Sequence, residues 1–179
     1  MNFPGLILKW LGWKIDVTVP DYPKCIICVA PHTSNIDFFV CKLAYSAVGR
    51  NAGFLMKAFW FFPPLGWVLR SIGGIPVYRK KKKGSLVKYL VDRFENSERF
   101  SVAITPEGTR SPNSDWHTGF LEIAFQTGIP VVLAKVDYAT KTVSATDTFT
   151  PTGDVRRDMS EIKEYYRGVT GKHPENFII

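Results

Sequence analysis

The chain has 179 residues, 45% of them hydrophobic, which suits one domain with a core of its own. Its 23 Lys and Arg outnumber 16 Asp and Glu, and the formal charge of +7 would serve nucleic acid, an anionic membrane or an anionic substrate without choosing among them. The three cysteines, Cys25, Cys28 and Cys41, are odd in number and sit in apolar context, which argues against a disulfide framework and for buried thiols in a reducing compartment.

Phe3–Lys14 (FPGLILKWLGWK) mixes Trp10 and Trp13 with Leu6, Ile7, Leu11 and lysines, as an interfacial helix would, although such runs also build cores. Lys9 interrupts its apolar stretch and no small-residue cleavage site follows, so a protein of the cytoplasm is expected. Lys24–Ala30 reads as a buried strand, in which Cys25 and Cys28 face opposite ways and make no metal or disulfide pair. Thr33 or Ser34 then caps a helix with Ile36, Phe39, Val40, Leu43, Ala44 and Ala47 at helical spacing.

Phe54–Arg70 is the most apolar region, but Lys57 and Pro63-Pro64 interrupt it and it is shorter than the roughly 20 residues needed to span a bilayer. Ile75–Tyr78 is a short strand, Ser85 caps a helix carrying Leu86, Tyr89, Leu90 and Phe94, and Phe100–Thr105 is a buried strand ending at Pro106. A helix over Gly119–Thr127 closes at Gly128, before the β-prone run IPVVLAKVDYA. Thr142–Thr150 is a later strand and Val155–Gly168 a terminal helix. Strands alternating with helices, with no repeat or linker, give a single-domain α/β layered fold over residues 1–179, a central mixed β-sheet flanked by helices.

The chemistry gathers where two strands end. His32 follows the first buried strand and Asp37 falls in the first turn of the next helix, close enough for the carboxylate to orient the imidazole and make His32 a general base. Asp37 also suits the helix dipole, so the pair alone is weak. No G-x-S-x-G elbow is present and the cysteines are apolar in setting, so a base without a protein nucleophile must activate a hydroxyl or water brought to it. His117 and His173 are far away in sequence and no metal-binding cluster is expected.

Val102–Pro112 (VAITPEGTRSP) repeats the design, a strand delivering a polar loop at its end, where α/β sheets bind ligands. Gly108 allows close backbone approach, Glu107 accepts hydrogen bonds from hydroxyls, and Arg110 offers a fork for phosphate. Arg79, directly after a strand, is a second phosphate contact, and Lys80–Lys83 suit either solvent or an anionic membrane. No motif that reads nucleic acid is found.

Taken in order, H-x4-D at His32 and Asp37, Gly74-Ile75-Pro76-Val77-Tyr78-Arg79, Pro106-Glu107-Gly108-Thr109-Arg110-Ser111 and Gly128-Ile129-Pro130-Val131-Val132 resemble the four motif blocks of the glycerolipid acyltransferases, the family of lysophosphatidate acyltransferases. The resemblance covers roughly Cys25 to Tyr138. It departs from the common pattern at Pro31, where many members have asparagine, and at Thr105, where many have an aromatic residue.

The resemblance implies a glycerol-phosphate acyltransferase-like fold and acyl transfer from acyl-CoA or acyl-carrier protein to the hydroxyl of a lysophospholipid. His32 would deprotonate the acceptor, Asp37 would orient His32, Arg79 and Arg110 would hold the acceptor phosphate, and Glu107, Gly108 and Thr109 would line its site. No metal or organic cofactor is implied, because the thioester carries its own activation. Residues 1–20 and Phe54–Leu69 are the candidate membrane segments, the latter also a candidate acyl-chain channel, for an enzyme peripheral on the cytoplasmic face of an anionic membrane. Another lyso-lipid or an amine as acceptor, or water in a thioesterase, are the alternatives, and a non-catalytic module binding anionic surfaces is a reading of another class.

Overall fold

The computed structural model describes residues 2–78 and 84–179. Seven strands run in chain order as β1 (Lys14–Val17), β2 (Lys24–Ala30), β3 (Gly53–Lys57), β4 (Gly74–Val77), β5 (Phe100–Ile104), β6 (Val131–Asp137) and β7 (Thr142–Phe149). Six α-helices accompany them among the described residues: α1 (Phe3–Trp10), α2 (Asn35–Ala47), α3 (Leu65–Ser71), α4 (Ser85–Glu95), α5 (Gly119–Thr127) and α6 (Val155–Tyr165).

The strands form one mixed sheet in the order β1-β7-β6-β2-β5-β3-β4. β7 runs antiparallel to β6, and every other neighbouring pair is parallel. β2 and β6 lie in the middle as nearly continuous apolar runs, the pattern expected of strands covered on both faces. Cys25, Ile27 and Val29 of β2 join a core with Leu8 of α1 and Val40 and Ala44 of α2. Ile26, Cys28 and Ala30 enter the opposite core, with Leu90 and Phe94 of α4, Leu121 of α5 and Ile162 of α6. The two cysteines of β2 thus point to opposite faces, and all three thiols are free.

Right-handed crossovers explain the distribution of the helices. α2 and α3 each carry the chain outward, from β2 to β3 and from β3 to β4, which places both on the face that α1 also covers. α4 and α5 carry it back and cover the other face. Under α2 the sheet presents Ala103, Ala134 and Ala145, side chains too short to fill the space, and an apolar cavity of about 70 Å³ remains, bounded also by Phe38, Cys41 and Phe54.

The apolar region after residue 53 is split into β3, a single 3-10 turn at Ala58–Trp60 and α3. α4 begins at Ser85 as its spacing requires, but the capping role expected of Ser85 goes to Gly84, whose φ of 88° no β-carbon favours, and no side chain among the described residues caps this helix. α6 ends at Tyr165, three residues short of Gly168.

Candidate active site

Because β2 and β5 are parallel neighbours with Cys28 opposite Ile104, the loops after Ala30 and Ile104 leave the sheet side by side. β6 pairs with β2 from the other side, Ala30 opposite Lys135, so Tyr138 emerges at the same edge. Three segments distant in sequence therefore meet at the carboxyl ends of the strands, where open α/β sheets bind ligands.

Local sequence fixes Asp37 first. Ser34 takes extended backbone (φ −146°, ψ 155°) as the N-cap of α2, its Oγ accepting from the Ile36 amide at 3.2 Å. Asp37, at the third helical position, closes the capping box, Oδ2 accepting from the amides of Thr33 and Ser34 at 2.8 Å each. The turn so formed brings His32 back over the helix start, with Nδ1 3.4 Å from Asp37 Oδ2. A cap alone would leave Oδ1 to solvent. Here Oδ1 accepts a 2.6 Å hydrogen bond from the Tyr138 hydroxyl, and Asp37 is only 2% exposed. Burial by itself would raise its pKa, but hydrogen bonds from His32, Tyr138 and Ser34 outweigh that cost and hold it below the ordinary carboxylate range. The Asp37 carboxylate so held faces Nδ1 of His32, an arrangement that can orient the imidazole.

Glu107 supports His32 from the neighbouring loop. Its Oε1 accepts the His32 backbone amide at 2.8 Å, whereas Oε2 is buried without a hydrogen-bond partner among the described residues. Burial pushes its pKa up to about 7, hydrogen bonding and the charge of His32 opposing the shift. Asn113 steadies the same loop by donating to the Glu107 carbonyl at 2.8 Å. The chain's last segment braces the other side. Thr33 is buried and its Oγ1 accepts the His173 amide at 3.1 Å, while a β-carbon on Gly171 would come within 2.9 Å of the Thr33 side chain.

The other expected residues are distributed unequally. Gly108 has φ 65°, and a β-carbon there would meet the His117 ring at 2.4 Å, so the glycine serves close packing against that imidazole. Thr109 Oγ1 accepts the Ser111 amide at 3.2 Å in a local turn. Arg110 is exposed and has no acidic partner among the described residues. Arg79 and Lys80–Lys83 lie outside the described residues; β4 ends at Val77 on the edge that carries His32.

Tyr138 was not singled out from the sequence, where it is the aromatic residue just past a strong strand. Its amide donates to the Thr170 carbonyl at 2.9 Å and its ring stands edge-on to Trp13, with centroids 4.9 Å apart. The thiols offer no nucleophile: burial pushes the Cys28 pKa up to about 12 and raises those of Cys25 and Cys41 as well. Among the described residues no group of three or more His, Cys, Asp or Glu side chains is placed to hold a metal ion.

Comparison with known proteins agrees with this geometry. The description of the acyltransferase family matches residues 15–134. A 1-acyl-sn-glycerol-3-phosphate acyltransferase of Streptococcus pneumoniae is 28% identical over 96 residues, 53% of this chain and 35% of the relative, so the match spans about a third of that protein's length. The crystal structure of the 1-acyl-sn-glycerophosphate acyltransferase PlsC from Thermotoga maritima superposes with a TM-score of 0.61 at 19% identity, covering 94% of this chain and 79% of the other, which establishes the shared fold. With the family description matching 15–134, across β1 to β6 and both loops of the site, the chain belongs to the acyltransferase family.

Proposed function

We propose that the protein is an O-acyltransferase that moves a fatty acyl group from a thioester, acyl-CoA or acyl-carrier protein, to the free hydroxyl of a lysophospholipid, with lysophosphatidate going to phosphatidate. The observation that carries this reading is the buried Asp37 carboxylate beside His32 Nδ1, in a family whose chemistry is acyl transfer.

His32 Nε2 takes the proton of the acceptor hydroxyl as its oxygen attacks the thioester carbonyl carbon. Asp37 stabilises the imidazolium so formed. When the tetrahedral intermediate collapses, the carbon–sulfur bond breaks and the imidazolium returns the proton to the departing thiolate. The acyl group is then an ester on the acceptor and His32 is neutral again. No protein nucleophile, metal or organic cofactor takes part in this cycle, because the thioester supplies the activated acyl group.

Arg110, exposed and free of an acidic partner among the described residues, is suited to the acceptor phosphate, with Arg79 as the second contact. Gly108 and Thr109 line the acceptor site, and Glu107 contributes through its hold on His32. The apolar cavity under α2 is bordered by Phe38 and Cys41, just beyond Asp37 in the helix, and at about 70 Å³ would admit only a few carbons of an acyl chain.

Membrane contact is the second half of the proposal. Phe3 and Trp10 of α1 are 75% and 86% exposed, and Phe59 and Trp67 near α3 are 78% and 67% exposed. These aromatics lie on helices that cover one face of the sheet, an arrangement for resting in the headgroup region. No helix among the described residues is long and apolar enough to cross a membrane. Docking on the cytoplasmic face belongs to the same proposal and is supported by the three free thiols, which suit a reducing compartment.

The test supplies purified protein with lysophosphatidate and labelled acyl-CoA or acyl-carrier protein and follows lipid products by mass. Phosphatidate is the expected product; free fatty acid would identify a thioesterase, and product only with other lyso-lipids or amines would move the assignment to that acceptor.

A further inference from the structure

At the opposite edge of the sheet, where β3, β4 and β5 begin with Gly53, Gly74 and Phe100, lies a groove of about 1010 Å³. It cannot belong to the catalytic site, because the strands separate it from His32 by roughly 17–20 Å. Its lining brings together Lys42 of α2, Arg50, Arg70 of α3, Arg93 of α4 and Arg99, drawn from five separate segments. The only carboxylate among its described lining residues is Asp21, which pairs with Arg99 and lies 3.7 Å from Arg50 Nε. One carboxylate among five cations leaves a strongly positive groove.

Arg50 donates to the Val19 carbonyl at 2.8 Å, Lys42 donates to the Ala52 carbonyl at 3.1 Å and Arg99 is paired with Asp21, so the cations left to meet an anion are Arg70 and Arg93, the latter also donating to the Tyr89 hydroxyl at 3.0 Å. Arg70 stacks over Phe61 at 5.3 Å and Arg93 over Phe100 at 4.8 Å, and neither has an acidic partner among the described residues. Stacking fixes a guanidinium plane while leaving its edge donors for an anion. Burial lowers the Lys42 pKa, a shift that an anion nearby would oppose.

The rim identifies the kind of anion. Ile72 lines the groove and is exposed, and Trp67 and Val68 stand exposed on α3 beside Arg70. Aromatic and aliphatic side chains interleaved with arginine are the composition of a surface that takes a phosphate and acyl chains together. We infer that this groove is a second lipid site, binding the phosphate headgroup of an anionic phospholipid in the membrane, separate from the acceptor site. The inference rests on the membrane contact proposed above and adds a defined headgroup position at the end of the molecule away from His32.

The test measures binding to phosphatidylcholine vesicles with and without phosphatidylglycerol, by co-sedimentation, for the wild type, Arg70→Gln/Arg93→Gln, Arg70→Lys/Arg93→Lys, and a charge-matched control, Arg156→Gln/Arg157→Gln, on α6 outside the groove. The groove glutamine variant is expected to lose roughly 20-fold or more in affinity for the anionic vesicles, the lysine variant to recover most of it, and the control to change by less than about threefold. Equal losses in the groove and control variants would overturn the inference in favour of net charge. Groove variants that bind like wild type would overturn it while leaving membrane contact intact. A wild type that binds no vesicle would overturn both. Unchanged vesicle binding in the groove variants together with impaired transfer from acyl-carrier protein would also overturn it, reassigning the groove to an acidic protein.

Discussion

The two edges of the sheet solve different problems with different side chains. At the carboxyl edge, short groups are pinned by short bonds: Asp37 is held by two amides and the Tyr138 hydroxyl, and His32 by the Glu107 carboxylate. At the amino edge, long side chains rest on rings, Arg70 on Phe61 and Arg93 on Phe100, beside an open groove. Proton transfer requires a base fixed to within a fraction of an ångström, whereas attraction of an anion requires only a collected charge. Perturbing one edge should therefore leave the property of the other unchanged.

The largest separation is expected from His32→Ala. Turnover should fall roughly 10³-fold with vesicle binding unchanged, because the His32 ring, only 15% exposed, lies at the edge of the sheet away from the groove. A parallel loss of vesicle binding would show that the edges are coupled. Asp37→Asn comes next. Turnover should fall roughly 10²-fold through the lost support of the imidazolium, and urea denaturation should show a loss of about 1 kcal/mol because the amide caps α2 less well. Full turnover in this variant would reduce Asp37 to a helix cap.

Glu107→Gln sharpens the comparison through pH. Folding raises the Glu107 pKa from 4.5 to about 7, so the folded state holds a proton that the unfolded state has released. The stabilising effect of that proton is full below about 4.5 and is lost as pH rises through about 7. Glutamine keeps an oxygen for the His32 amide and does not titrate. The variant should gain on the wild type by up to about 3 kcal/mol between acidic pH and pH 8, read from urea midpoints, with no further divergence above that. Parallel profiles would show that folding leaves the Glu107 pKa unshifted.

Tyr138→Phe has the smallest expected effect on chemistry. Loss of one hydrogen bond to Asp37 Oδ1 should lower kcat roughly tenfold and leave KM unchanged, with the Trp13 contact preserved by the phenyl ring. A change in KM instead would place the hydroxyl against substrate.

The legible parts of the molecule are those whose causes are local. β2 and β6 announce themselves as uninterrupted apolar runs, and Ser34 with Asp37 writes a capping box within four residues, which is why the His32–Asp37 pair could be read directly. Tyr138 lies 101 residues from Asp37 and Glu107 lies 75 from His32, so those contacts exist only once β6, β2 and β5 are laid side by side. β3 was hidden because its residues form the start of a longer apolar run, and β1 because a four-residue strand at the sheet edge carries little pattern. The basic groove escaped notice for the same reason, since its cations are spread from Lys42 to Arg99 and converge only through the strand order.

In the proposed reaction the acceptor hydroxyl attacks the thioester directly, with His32 as base and no acyl group passing through the protein. Rapid mixing of the wild-type enzyme with a labelled acyl thioester, first alone and then with lysophosphatidate, followed by intact mass and thiol release, tests it. The account predicts an unmodified protein and negligible thiol until the acceptor is added, then thiol and phosphatidate in equal amounts. A stoichiometric acyl adduct on the protein, or thiol released at full rate without acceptor, would contradict it.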